Sequence, residues 1–208
     1  MSADLFVSGT DTGAGKTLLS ALLVAALNRK YWKPIQTGAC EGTDRDAVMK
    51  WANVSAERTH PETFIFDPPV SPHLAAEKQG IRIELDAIGR PQDPEPIIVE
   101  GAGGVFVPIN DRAFMLDLIR HLGLPVVIAA RTTLGTINHT LLTISAIREA
   151  GLDLCGVVMI GKENADNERA VEHYGNVPVV GSIPWLESID AAALRRVFDR
   201  RFNKSAFV

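Results

Sequence analysis

The run Gly9-Thr10-Asp11-Thr12-Gly13-Ala14-Gly15-Lys16-Thr17 gathers residues that could bind phosphate. Glycines let backbone N–H groups close around phosphate oxygens without side-chain clashes. A helix opening just after the loop adds unpaired N–H groups and the positive end of its dipole. Lys16 can then reach the outer phosphates of a nucleoside triphosphate, and the Thr17 hydroxyl can ligate Mg²⁺. The spacing departs from the usual phosphate loop. Five residues separate Gly9 from Gly15, where four are usual, and Thr10 stands at the expected glycine position. The competing reading is a plain glycine-rich turn between strand and helix.

Magnesium held beside a nucleotide needs an acid at the end of a neighbouring strand. Glu100 fits, because it ends Ile97-Ile98-Val99 and precedes Gly101-Ala102-Gly103-Gly104, glycines that permit close approach of a ligand. Asp46, in Thr43-Asp44-Arg45-Asp46-Ala47, is a second candidate and reads equally as an ordinary acid in the first turn of a helix. Lys33 sits at the end of a short strand, where its side chain can face the ligand edge of a sheet. By pattern alone it reads as a solvated lysine.

The elements that must position these groups alternate along the chain. Leu5–Val7, Tyr31–Ile35, Ile97–Val99, Pro125–Ala130, Val157–Ile160 and Val177–Val180 read as strands. Thr17–Asn28 and Ile137–Ala150 read as helices, the second closed by Gly151. The inner strands are continuously apolar, as strands covered on both faces are. The expected fold is therefore α/β and P-loop NTPase-like: a mostly parallel sheet with helices on both faces, in a single domain spanning residues 1–208. Such sheets bind ligands beyond the C-terminal ends of their strands. The segment from Gly38 to Gln92 is the least regular, with loops expected at Asp67–Pro72 and Pro91–Pro96.

Composition narrows the function. The 208 residues are 46% hydrophobic and 22% charged, which excludes disorder and low-complexity fibre. A net charge of −4 offers no basic field for a nucleic-acid partner. The longest apolar stretch, Leu18–Leu27, is about half of a bilayer span. The opening Met-Ser-Ala-Asp shows no leader pattern, and Cys40 and Cys155 make no disulfide framework, so a cytoplasmic, membrane-free protein is expected. The five histidines lack metal-ligand spacing with the cysteines. The pairs Arg195-Arg196 and Arg200-Arg201 read as a solvated helix face.

Taken together, the motifs resemble dethiobiotin synthetases along nearly the whole chain. The phosphate loop with its extra residue, Trp32-Lys33-Pro34-Ile35-Gln36-Thr37-Gly38, Asp46-Ala47, Ser71-Pro72-His73, Glu100-Gly101-Ala102-Gly103-Gly104, Leu134-Gly135-Thr136-Ile137-Asn138-His139 and Gly181-Ser182-Ile183-Pro184-Trp185-Leu186 occur in the family's order. The resemblance implies a homodimer that uses ATP and Mg²⁺ to close a cyclic urea from 7,8-diaminopelargonic acid and CO₂. It implies Lys16 and Lys33 as catalytic cations, and Thr17, Asp46 and Glu100 as metal ligands. It places Gly13, Ala14, Gly15, Lys16, Thr17, Leu18, Gly101, Ala102 and Gly103 around the nucleotide. Thr12 and Thr37 would meet substrate; a serine is common at the latter position. Leu134, Gly135, Asn138 and Tyr174 would hold the substrate tail, partly from the other subunit, although Asn138 also reads as a helix cap and Tyr174 as a core aromatic. The base would sit near Ile160, Gly161, Pro184, Trp185 and Leu186. Ile160 replaces an asparagine that commonly reads the base in the family, so weak selection of ATP over other triphosphates is expected.

Two other readings compete. A nucleotide-dependent switch of the partitioning-ATPase kind would carry a signature lysine early in the loop, where this chain has Asp11. A cobyrinate amidase-like synthetase would normally bring a glutaminase domain, for which 208 residues leave no room.

Overall fold

The computed structural model describes residues 4–207; residues 1–3, on which the absence of a leader was read, lie outside the described residues with Val208. The strands are β1 (Leu5–Gly9), β2 (Lys30–Trp32), β3 (Ile35–Gln36), β4 (Thr59–His60), β5 (Phe64–Ile65), β6 (Ile97–Gly104), β7 (Val126–Arg131), β8 (Leu154–Ile160) and β9 (Val179–Ile183). The helices are α1 (Lys16–Leu27), α2 (Asp44–Ala52), α3 (Pro72–Lys78), α4 (Met115–Leu122), α5 (Thr136–Glu149), α6 (Ala165–Gly175) and α7 (Ala191–Arg201). Seven strands form one sheet in the order β4-β2-β6-β1-β7-β8-β9, and every pairing in it is parallel. This is the expected α/β architecture.

The sheet's two faces carry separate cores. On one face, Val7, Tyr31 and Ile98 pack with Leu19, Leu22 and Leu23 of α1 and Leu194 and Phe198 of α7. On the other, Phe6, Trp32 and Val99 pack with Leu118 and Ile119 of α4 and Ile144 and Ile147 of α5. Adjacent residues of one strand thus serve opposite cores, which explains the unbroken apolar runs.

One expected strand divides. Tyr31–Ile35 contains Pro34, which has no N–H to donate to a ladder. The main sheet keeps Lys30–Trp32, and Ile35–Gln36 leaves it to pair with Phe64–Ile65 in a separate two-stranded sheet. Lys33 lies at that departure point, at the sheet's C-terminal rim. The stretch 38–92 contributes α2, α3 and short 3-10 turns, while residues 91–96 remain loop.

Candidate functional site

At the rim, β1 ends at Gly9 and the chain loops over to start α1 at Lys16. Gly15, at the cap, has φ 93°, a left-handed conformation that glycine adopts without strain. A Cβ there would fall 2.7 Å from Cδ1 of Ile160, so the isoleucine packs directly beneath the loop. No side chain caps α1, which leaves its first N–H groups open to a ligand.

A cavity of about 710 Å³ opens beside the loop. It is lined by Thr12, Gly13, Gly15, Lys16, Thr17 and Leu18 from the loop and α1, by Lys33, Gln36, Thr37 and Gly38 after β2, and by Glu100, Ala102 and Gly103 of β6. Asp44 of α2 and Ser71 and Pro72 at the start of α3 complete one wall. Glu100 is 1% exposed and Lys33 4% exposed, burial that ionised side chains accept only when paired. Lys33 Nζ lies 2.9 Å from Asp44 Oδ2 and 3.2 Å from Glu100 Oε1, and donates to the Gly101 carbonyl at 3.3 Å. The Thr17 hydroxyl lies 2.5 Å from Asp44 Oδ1 and 2.9 Å from Glu100 Oε1. The second oxygen of Glu100 accepts a bond from the Tyr31 hydroxyl at 3.0 Å.

The two lysines are tuned in opposite directions. Burial and repulsion from Lys33 lower the Lys16 pKa to about 8, with Glu100, Asp44 and Asp11 opposing the shift. Lys16 Nζ meanwhile donates to the Asp11 carbonyl at 3.1 Å, folded back over its own loop. Burial also works against charge on Lys33, but Glu100 and Asp44 outweigh it and raise its pKa. Burial works against the Asp44 carboxylate too, and Lys33 with the Thr17 hydroxyl brings its pKa below the ordinary value. One ammonium is therefore held ionised by two acids, and the other stands where an arriving anion would favour its charge.

The acid of α2 that lines the cavity is Asp44, whereas the sequence reading named Asp46. Asp46 is exposed and does not line the cavity: Thr43 Oγ1 accepts from the Asp46 N–H at 3.0 Å and donates to Asp46 Oδ2 at 2.7 Å. Thr43 is the helix cap and Asp46 the third helical residue, and the bond from the cap hydroxyl occupies the carboxylate. Asp44 takes the place beside Thr17 and Lys33. Its N–H donates to Gln36 Oε1 at 3.1 Å, which ties the start of α2 to the strand end carrying Lys33. The Thr-x-x-Asp spacing was the signal that Asp46 belongs to the cap.

Other residues read from the sequence lie outside this cluster. Ala14 is buried inside the loop. Ile160 and Gly161 end β8, and Gly161 lies against Thr132. Pro184, Trp185 and Leu186 follow β9; Trp185 is 81% exposed and shares a second hollow of about 270 Å³ with Leu186, Arg196 and Arg200. Leu134, Gly135, Asn138 and Tyr174 are exposed and do not line the main cavity of their own chain. Asp11, standing where switch ATPases carry a lysine, accepts a bond from Arg131 at 3.2 Å. Cys40 and Cys155 are both free. Among the described residues no helix is long and apolar enough to cross a membrane.

A parallel sheet with a lysine-bearing phosphate loop, a threonine at the helix start, a buried acid on the adjoining strand and a half-buried one on the helix define a P-loop nucleotide-binding protein of the α/β class. A family profile described as an AAA domain matches residues 3–193. The chain is 44% identical over 208 residues to an ATP-dependent dethiobiotin synthetase of Rhodopseudomonas palustris strain HaA2, covering all of this chain and 98% of that one. It is 47% identical over 190 residues to an ATP-dependent dethiobiotin synthetase of Paramagnetospirillum magneticum, covering 91% and 92% of the two chains. The chain belongs to the dethiobiotin synthetase family. More distant likenesses are of fold alone. A ParA family ATPase from Chlorobium tepidum aligns with TM-score 0.52 at 10% identity, over 99% of this chain and 96% of that one. A cobyrinic acid a,c-diamide synthase from Mycobacterium smegmatis, solved with an ATP analogue and magnesium, aligns with TM-score 0.53 at 16% identity, over 96% and 93%.

Proposed function

We propose that the protein joins CO₂ to 7,8-diaminopelargonic acid and closes the ring to dethiobiotin, hydrolysing ATP to ADP and phosphate in the course of biotin biosynthesis. The observation that carries this reading is the convergence of Lys16, Lys33, Thr17, Asp44 and Glu100 on one cavity, in a chain 44% identical to a named synthetase along its whole length.

The donor set suits Mg²⁺. Thr17 Oγ1 lies within hydrogen-bond reach of oxygens of both Asp44 and Glu100, so hard oxygen donors converge on one point. Magnesium takes a few protein oxygens and completes its shell with phosphates and water, so a site with two carboxylates and one hydroxyl is sufficient. When bound there, it would neutralise charge on the transferring phosphoryl group.

The chain's own groups account for the remaining work. One substrate amine takes up CO₂ as a carbamate and loses a proton. Lys33, at the cavity wall, offsets the carbamate's charge, and the Thr37 hydroxyl lies along the same wall to hold it by a hydrogen bond. Loop N–H groups and Lys16 hold the outer phosphates, so that the carbamate oxygen attacks the γ-phosphorus and ADP departs. The product is a carbamic–phosphoric anhydride with a good leaving group. The second amine then attacks its carbonyl carbon, and phosphate leaves. Both reactants in the phosphoryl step are anions, which is why two cations at one rim matter.

The tail-binding residues complete the site only if two copies pair. Leu134, two residues before α5, Leu142, midway along α5, and Phe106 are large apolar residues left exposed, and they would be covered in a cytoplasmic homodimer. The open N-terminus of the partner's α5 would then meet the substrate carboxylate.

Incubation with the diamine, ATP, Mg²⁺ and ¹³C-bicarbonate should place label in the ureido carbon of dethiobiotin, read by mass spectrometry. ATP turnover indifferent to diamine and bicarbonate, yet stimulated by a protein partner, DNA or lipid, would defeat the proposal in favour of a nucleotide switch.

A further inference from the structure

We propose that Tyr31 is a positioning residue for Glu100: its buried hydroxyl holds Oε2 so that Oε1 is presented to Thr17, Lys33 and the metal. The inference rests on the reading above, that Glu100 serves magnesium.

Register places the pair. Tyr31 stands opposite Ile98 across β2 and β6. Side chains alternate along a strand, so Tyr31 and Lys33 share the face that Ile98 and Glu100 share. That face lies under α1, in the core that contains Tyr31, Ile98 and Leu19. Tyr31 is 0% exposed, so it touches neither solvent nor substrate and acts only through what it holds.

The position demands an explanation, because phenylalanine would fill the same space with no hydroxyl to satisfy. A buried hydroxyl needs a partner, and this one takes a carboxylate oxygen. Its Oη lies 3.0 Å from Glu100 Oε2. The other oxygen, Oε1, accepts from Thr17 at 2.9 Å and Lys33 at 3.2 Å. A carboxylate held through one oxygen can still turn about its terminal bond. Held through both, its plane is fixed, and a metal ligand placed in advance loses less on binding.

The test is Tyr31→Phe, which keeps the ring and removes one oxygen. Calorimetric titration with ADP, with and without Mg²⁺, isolates the gain in affinity that the metal confers. That gain should fall about 10-fold or more, in line with the loss of one bond to a charged acceptor. Affinity for ADP alone should stay within about 2-fold, and the Mg²⁺ concentration giving half-maximal turnover should rise in step with the lost gain, since both report the same ligand. A thermal midpoint close to the parent's verifies the fold. Equal weakening with and without Mg²⁺, or no weakening in either, overturns the proposal. Glu100→Gln separates the two levels of the argument. If Glu100→Gln removes the metal-dependent gain and Tyr31→Phe does not, the positioning role fails alone. If Glu100→Gln leaves the gain intact, the metal assignment fails and the positioning role with it. The double variant should lose no more of the gain than Glu100→Gln does, because both substitutions remove the same device; an additive loss refutes the link.

Discussion

Lys33→Ala strikes the site where its charges balance. In the wild type, Lys33 sits 2.9 Å from Asp44 Oδ2 and 3.2 Å from Glu100 Oε1, with Glu100 1% exposed. Removing the ammonium leaves two neighbouring acids without their shared cation, and one of them, Glu100, is almost fully buried. Breaking a buried pair from one side costs about 3–5 kcal/mol. For a chain of this length each kcal/mol shifts Tm by roughly 2–4 °C, so scanning calorimetry should find the variant melting about 10 °C lower. Added Mg²⁺ should recover more stability in the variant than in the parent, because the acids then lack a competing cation. Turnover should fall about 10²–10³-fold, the usual loss when one charge-stabilising donor is removed from a transition state. Nucleotide affinity should change far less, since the loop and Lys16 remain. A variant that turns over at the parental rate, or whose lost stability Mg²⁺ does not preferentially restore, would refute the reasoning.

Three further outcomes follow from the same geometry. Asp44→Asn should raise the Mg²⁺ requirement for turnover about 10-fold or more, whereas Asp46→Asn should cost about 1 kcal/mol of stability through the cap and leave the Mg²⁺ requirement within 2-fold; the reverse pattern would return the metal to Asp46. Lys16 has a pKa of about 8 in the free protein, so nucleotide affinity should be flat below that pH and weaken up to tenfold per unit above it, and calorimetry near pH 9 should show proton uptake on binding. The stability contribution of the same group runs the other way: between about 8 and the ordinary lysine value the unfolded chain holds the proton and the folded chain does not, so free protein gains stability from it as pH rises. Ile160 packs under Gly15 and offers no donor or acceptor to a base, so rates with ATP, CTP and GTP at equal concentration should lie within about 10-fold of one another, and strict ATP dependence would count against that.

How far the sequence revealed this arrangement can be traced residue by residue. The loop, Lys16, Thr17 and Glu100 were legible because their signals are local: glycine spacing before a helix, and an acid closing an apolar strand. Lys33 was visible as a strand-end lysine, but its burial depends on β2 lying beside β6, a pairing of strands more than sixty residues apart in sequence. Pro34, which ends β2, is plain in the sequence, yet the second sheet that Ile35 joins requires Phe64–Ile65 to return alongside it. Asp44 stands two residues before the Asp46 named in the sequence reading and so on a different face of α2. Periodicity alone locates helices within a few residues, while the two bonds between Thr43 and Asp46 fix the phase. Tyr31 carried no sequence signal as a site residue, since a buried aromatic in a strand reads as core until its hydroxyl's partner is known.

The opposed tuning of the two lysines bears on the order of events. The two ammoniums and two carboxylates nearest Thr17 sum to no net charge, so the free site exerts little long-range pull on a triphosphate. Capture must come from the loop N–H groups and from Lys16, whose burial makes its charge costly until phosphate oxygens arrive to offset it. Lys33 is in the converse position: its two acids hold it so firmly that it has little left for a second anion. A bound metal sharing Asp44 and Glu100 would weaken that hold, freeing Lys33 for a carbamate only after nucleotide and magnesium are in place. On that account the diamine's carbamate should bind productively after MgATP, so product inhibition by MgADP should compete with ATP. Inhibition by MgADP that instead competes with the diamine would reverse the inferred order and leave the pairing of Lys33 with two acids without a kinetic role.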